Sequence, residues 1–302
     1  MPLPKRIRRQ AGRHALVDGI PFQLPINSEQ TPALMAGFPI DADRAAALMP
    51  GNELHPFRLW NGKGLLIITV IDYRVTDIGK YIEFSIGLAC TRGPRPAPRM
   101  LPGLLMNTFG TGQFVYDLPV STEISVKGGK GIWGMPKHQA NLDFVITDTT
   151  VSSQYDKEGQ FAMKIEIDRP HSPTLRLRNI GMKNYCQFRG MLMKSYIYFS
   201  GSIQLSLFGK ARARLILGDH PRMQPLKTLG IEDAPLFTAF MPETRGILDD
   251  YFECWFLTYD RPPAAPPEGL ESVADLGLGQ EWLAPPNPAW PALHPRPATA
   301  SP

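Results

Sequence analysis

Cysteine is scarce. The chain has three among its 302 residues, Cys90, Cys186 and Cys254, widely spaced and without a CxxC pair. An odd, scattered set argues against a disulfide framework and against a cysteine-based zinc site, and it fits a reducing, cytoplasmic setting. Long apolar runs are missing too. The most hydrophobic stretch, residues 65–71 (LLIITVI), is far shorter than the ~20 residues that span a bilayer, so no membrane partner is expected. The basic N-terminus is followed by no apolar h-region, and the chain reads as lacking a signal peptide. There is little charge excess of either sign: 32 basic against 28 acidic residues, a net +4. Much of the excess sits in Lys5, Arg6, Arg8, Arg9 and Arg13, and no basic patch interleaved with aromatics stands out elsewhere. The arm, residues 1–19, therefore reads as a solvated segment, and no nucleic-acid partner is expected. No fixed-period repeat is present.

Proline, by contrast, is abundant, with 31 residues that cluster towards the C-terminus. From residue 261 onward prolines remove donors and fix φ, so most of 261–302 cannot be ordinary helix or sheet. It reads as a disordered tail or as an extended strap anchored by Trp282 and Trp290. The middle of the chain carries strand signals. Residues 65–73 and 81–91 flank a polar turn, as an antiparallel pair would. In 161–168, Phe161, Met163, Ile165 and Ile167 alternate with polar residues, the mark of a half-buried strand. Residues 191–207 and 211–217 read the same way. Helical signals are few: 41–48 (DADRAAAL), with its acidic start, and 244–256, following Met241 and Pro242. Many strands with few helices predict one β-rich domain with a curved or closed sheet.

Two features carry chemistry. Residues 128–140 read GGKGIWGMPKHQA, where glycines permit tight turns and close approach and Pro136 fixes the chain before Lys137. A lysine held behind Ile132, Trp133 and Met135 is drawn into an apolar environment, where desolvation disfavours an ammonium ion. A neutral amine attacks a ketone, and the iminium that results accepts electrons from a breaking C–C or C–H bond. The GGKG string lacks the spacing of a phosphate loop. The second feature is Glu83, on a predicted strand, sharing a face with Tyr81 and Ser85. It is either a solvent-facing edge residue or a buried carboxylate that orients substrate and moves protons.

These motifs resemble a known family. GKGIWGMPKH is similar to the active-site loop of acetoacetate decarboxylases, roughly G-R-E-x-x-x-[FY]-P-K-K, in which the lysine after proline forms the Schiff base; Lys137 falls on it. GKYIE at 79–83 resembles the family's G-x-Y-x-E and places Glu83 on its active-site glutamate. Glu123, fourteen residues before Lys137, is similar to a family glutamate at about that separation. LILGDHPRMQPLKTL at 215–229 resembles L-x-L-x-D-H-x-x-x-P-L-x-x-L, so the likeness runs from about residue 20 to 256. There are departures. His138 replaces the second lysine, no arginine stands near 30–32, and the place of a further pocket glutamate, near 67–69, is apolar.

The resemblance implies an α+β, β-rich fold: a cone-like closed β-barrel with flanking helices, as a single domain over 20–260 between the arm and the tail. It implies catalysis by Lys137 and Glu83, with substrate contacts from His138, Trp133, Met135 and Glu123. It further implies a small keto-acid substrate, a homo-oligomer, and no metal or organic cofactor, because the lysine supplies the electron sink. Three activities fit: decarboxylation of a β-keto acid, an aldolase–dehydratase condensation of pyruvate or a similar keto acid with an aldehyde, and non-catalytic binding on the same scaffold.

Overall fold

The apolar run at 65–71 has no polar alternation because both of its faces are buried. In the computed structural model, which describes residues 13–260, this run lies in a strand with a cavity on one side and a second sheet on the other. Residues 1–12 of the expected arm and all of the expected tail, 261–302, lie outside the described residues.

Strand β1 (Arg13–Val17) makes a hairpin with β2 (Ile20–Leu24), so residues 13–17 of the expected arm are paired backbone, and Arg13 forms an ion pair with Asp250. After the short β3 (Ile26–Glu29), seven strands close into a barrel. They are β4 (Ala33–Ile40), β6 (Gly64–Tyr73), β8 (Tyr81–Arg92), β9 (Gly112–Val120), β15 (Leu175–Phe188), β16 (Met191–Leu207) and β18 (Phe237–Phe256). Their order round the barrel is β9, β15, β16, β18, β4, β6, β8, and β8 returns to β9. Short strands β5 (Leu54–Pro56), β7 (Val75–Thr76) and β10 (Lys137–Gln139) extend its rims. A second sheet is built from β11 (Asn141–Leu142), β12 (Val145–Ile146), β13 (Thr150–Lys157), β14 (Gln160–Asp168) and β17 (Ala213–Leu217). Helices are few and short: α1 (Ala42–Ala46), α2 (Leu101–Leu104), α3 (Glu123–Trp133) and α4 (Gln224–Lys227). The expected α+β, β-rich class and closed barrel are what the chain adopts. Among the described residues no helix is long and apolar enough to cross a membrane.

Period-2 alternation divides the work of the barrel strands. On β4, β6 and β8, residues such as Met35, Thr69 and Ser85 face the lumen. Their neighbours Leu34, Phe38, Ile68, Phe84 and Ile86 turn outward and pack on Val151, Ile165 and Ile167 of the second sheet. Each such side chain, fully buried, contributes roughly 1.5–3 kcal/mol. This clamps the barrel wall from outside and leaves the lumen side free for other side chains. Asp41 caps α1 by accepting from the backbone N–H groups of Asp43 and Arg44, as its sequence predicts.

One expectation fails. Residues 244–256 are not a helix but the second half of β18. Ile247, Leu248, Tyr251, Phe252 and Trp255 do recur at helical spacing, yet the ladder with β16 wins over that local pattern. Pro242, which looks like a helix start, sits where the β16–β18 register shifts between Ser202 and Gln204, a bulge that needs no donor from proline.

Candidate active site

A bulge decides which residue enters the lumen. Ile86 pairs with Asp117 but Gly87 pairs with Val115, which leaves Tyr116 as the extra residue on β9. Such an insertion reverses the alternation beyond it. Gln113 and Val115 line the lumen before the bulge, and Leu118 lines it after. Asp117 is thereby turned towards Tyr155 of the second sheet. Strand β10 runs parallel to β9, with Lys137 beside Leu118 and His138 beside Pro119. Lys137 therefore points inward with Leu118, and His138 outward with Asp117.

The segment before Lys137 is a helix rather than the expected glycine loop. Three glycines inside α3 weaken it by roughly 1 kcal/mol each relative to alanine. Their use lies in packing: a Cβ on Gly128 would stand 2.8 Å from Phe22, on Gly131 2.7 Å from Val17, and on Gly129 2.4 Å from Cδ of Lys137. The helix thus lies flat on the β1–β2 hairpin and on the lysine stem. Gly134 ends it in the left-handed conformation, φ 62°, and its N–H caps the last turn. Met135 and Pro136 then lead directly into β10.

Lys137 and Glu83 are 4% and 7% exposed, and their Nζ and Oε2 atoms are 2.8 Å apart. Nζ also donates to Ser125 Oγ at 2.9 Å and lies 5.2 Å from the centre of the Tyr81 ring. Tyr81 stacks on Tyr73 with centroids 4.5 Å apart. Burial first, and the nearby Glu83 carboxylate second, hold both phenols well above the usual tyrosine range, so they remain neutral. Burial likewise pushes the Cys186 thiol up to about 12, against a smaller opposing pull from Lys137. These groups carry no charge of their own, and the ion pair stands among them shielded from water.

A cavity of about 100 Å³ fills the lumen, lined from all seven barrel strands. A second, of about 40 Å³, adjoins it and contains Lys137, enclosed by Tyr81, Gly129 and Trp133. Glu83 and Met135 line both. Trp133, fully buried, is fixed by donating Nε1–H to the Asp249 carbonyl at 2.9 Å.

Of the residues singled out from sequence, Lys137, Glu83, Trp133 and Met135 thus meet at one place. His138 and Glu123 do not. His138 Nε2 sits 2.9 Å from Asp117 Oδ1 and near Tyr155, and His138 lines neither cavity. Glu123 is exposed in the first turn of α3; the 100° per residue of a helix carries Ser125, two positions on, to the lysine instead. Ser125, Tyr73, Tyr81 and Gly129 escaped the sequence reading. Tyr81 was within reach, since it shares the predicted strand face of Glu83; nothing in the local pattern marks Ser125. Two of the three sequence departures fall on the lining: Thr31 and Thr69 face the lumen.

The architecture is shared with solved structures. Acetoacetate decarboxylase from Legionella pneumophila subsp. pneumophila str. Philadelphia 1 superposes with a TM-score of 0.57 at 14% identity, covering 84% of this chain and 92% of that one. The enduracididine biosynthesis enzyme MppR, in complex with the condensation product of pyruvate and imidazole 4-carboxaldehyde, gives 0.53 at 14% identity, covering 76% and 88%. An acetoacetate decarboxylase-like enzyme from Sphingomonas wittichii RW1 gives 0.53 at 13% identity, covering 78% and 95%. At such identities the likeness is one of fold. No curated protein sequence matches significantly. The sequence profile of the acetoacetate decarboxylase (ADC) family matches residues 9–184, more than half of the chain, and the protein belongs to that family.

Proposed function

We propose that the protein is a Schiff-base enzyme in which Lys137 condenses with the carbonyl group of a small substrate held in the lumen, and the iminium serves as electron sink for making or breaking a carbon–carbon bond. The observation that carries this reading is a buried amine, 2.8 Å from a buried carboxylate, opening onto a cavity of the barrel. A buried ion pair contributes little to stability compared with apolar packing, so its presence at a cavity favours a chemical use.

The proposed steps use these two groups. Nζ passes a proton to Glu83 and attacks the carbonyl carbon. The carbinolamine loses water, leaving the iminium. Glu83, returned to its carboxylate form, removes a proton from the carbon beside the iminium or from a β-hydroxyl group. In the first case an enamine forms and attacks an electrophile; in the second the Cα–Cβ bond breaks, an aldehyde departs and the enamine is reprotonated. Water then hydrolyses the iminium and restores the amine. Decarboxylation of a β-keto acid and condensation of a keto acid with an aldehyde both begin on this same intermediate. The solved relatives, an acetoacetate decarboxylase and MppR with pyruvate bound, support the common step.

The test is α-proton exchange. In D2O, a methyl ketone incubated with the protein is expected to lose its α-proton NMR signal, and Lys137→Ala is expected to abolish the exchange. Borohydride should trap an adduct of one substrate per chain. If no carbonyl compound exchanges or is trapped, the proposal falls.

The packing of Gly129 on the lysine stem yields a second expectation. Gly129→Ala places a methyl group where Lys137 Cδ lies, so Nζ must move away from Glu83. Exchange should slow by about 100-fold, the scale for a reacting group misplaced by ~1 Å. Thermal stability should change little, since alanine returns about 1 kcal/mol of helix propensity. Equal exchange rates in the two proteins would show that the lysine position is not critical.

A further inference from the structure

We infer that the substrate is an uncharged carbonyl compound, a ketone or aldehyde with an apolar body, rather than a keto acid; the inference rests on the Schiff-base reading above. Its basis is the charge inventory of the lumen. Among the described residues, Lys137 and Glu83 are the two charged side chains that line the cavities, and they offset each other. When Lys137 becomes an iminium it keeps one positive charge, and Glu83 keeps its negative one. A carboxylate on the substrate would add a third charge with no cation to meet it, in a lumen walled by Met35, Val115, Leu118, Met182, Ile197 and Phe199. Stripping water from an unpaired carboxylate in such surroundings opposes binding.

The arginines that adjoin lining residues in sequence, Arg245 and Arg74, line neither cavity. Arg245 lies between Thr244 and Gly246, which both line the lumen, so strand alternation turns it outward. There it lines an open groove with Arg176, Arg178, Glu29 and Glu243; the groove adjoins the lumen through Thr244 and Ile247, and its two carboxylates offset part of its positive charge. Arg74 is held by Asp72 at 2.8 Å.

What the lumen does offer is neutral hydrogen bonding. Thr69 and Ser85 stand directly opposite each other on β6 and β8, both buried and both lining the cavity. Further round the wall, Gln113 donates to Asn184 at 2.9 Å, a buried amide pair. A hydroxyl, ester or second ketone group matches these partners, and the apolar wall matches a hydrocarbon body.

The experiment compares acids with their own methyl esters on the full-length chain. Acetoacetate and methyl acetoacetate, then levulinate and methyl levulinate, are incubated with the protein, reduced with cyanoborohydride and weighed by intact mass. Adducts from an acid count whether intact or decarboxylated. Lys137→Arg, which keeps the cation but cannot form an imine, is run beside the wild type. Each ester is expected to give at least about tenfold more Lys137-dependent adduct than its acid. Equal or greater labelling by the acids would overturn the neutral-substrate inference while leaving the Schiff base standing. Labelling that persists in Lys137→Arg, or no labelling by any of the four compounds, would overturn both.

Discussion

Lys137→Met is expected to abolish iminium trapping and α-proton exchange, a loss of at least about 1,000-fold, because no other group can take the place of a covalent nucleophile. The same change should cost about 3–5 kcal/mol of stability, since it leaves the Glu83 carboxylate buried without its partner. Adding Glu83→Gln to Lys137→Met removes that orphan charge. The double variant should melt near or above the wild type and remain inactive. Glu83→Gln alone should lower exchange by about 100- to 10,000-fold, the range for a lost general base. Denaturant midpoints and exchange rates for the four proteins complete the cycle. A double variant as unstable as Lys137→Met would show the pair to be a structural element, and the functional reading of the pair would fall. The opposite result is what a site maintained at the expense of stability predicts.

The uneven legibility of this site has a physical cause. Glu83 was placed on a strand face with Tyr81 and Ser85 by period-2 alternation alone, and burial chose between the two readings left open for it. The outer strands also declared themselves: 161–168 alternates cleanly because one of its faces meets the core. Lys137 was visible as a lysine behind an apolar, proline-fixed segment, and the family likeness singled it out from others of that kind. What local pattern could not show depends on pairing between distant strands. The extra residue at Tyr116 is defined only against Ile86 and Gly87, and it alone determines that Lys137 and not His138 enters the lumen. The helix α3 was hidden by its glycines, which lower helix propensity for the sake of contacts with Phe22, Val17 and Lys137. Residues 244–256 show the converse: an apolar spacing that suits a helix, overruled by pairing along β16.

His138, expected against the substrate, is better understood through Asp117. That carboxylate is nearly inaccessible and lies within reach of three groups: Arg222 NH1 donates to Oδ1 at 3.0 Å, His138 Nε2 is 2.9 Å from the same oxygen, and Tyr155 donates to Oδ2 at 3.4 Å. Burial, followed by the Asp117 charge, holds the Tyr155 phenol above its ordinary range, so it acts here as a donor. The cluster joins the second sheet and the 220s segment to β9 and β10, one residue from Lys137. Asp117→Ala should therefore cost about 3 kcal/mol, because His138 and Tyr155 are left without their shared acceptor while the half-exposed Arg222 turns to water. For a chain of this size that is a fall of roughly 6–12 °C in melting temperature. Asp117→Asn retains an acceptor and should lose less. If the cluster also holds β10 in place, trapping measured well below the melting point should slow by about tenfold in Asp117→Ala, with acid–ester preference unchanged, because the lumen lining is untouched. A lower melting temperature with unaltered trapping would confine the cluster to stability, and the β9 bulge, α3 and Glu83 would then suffice to position Lys137.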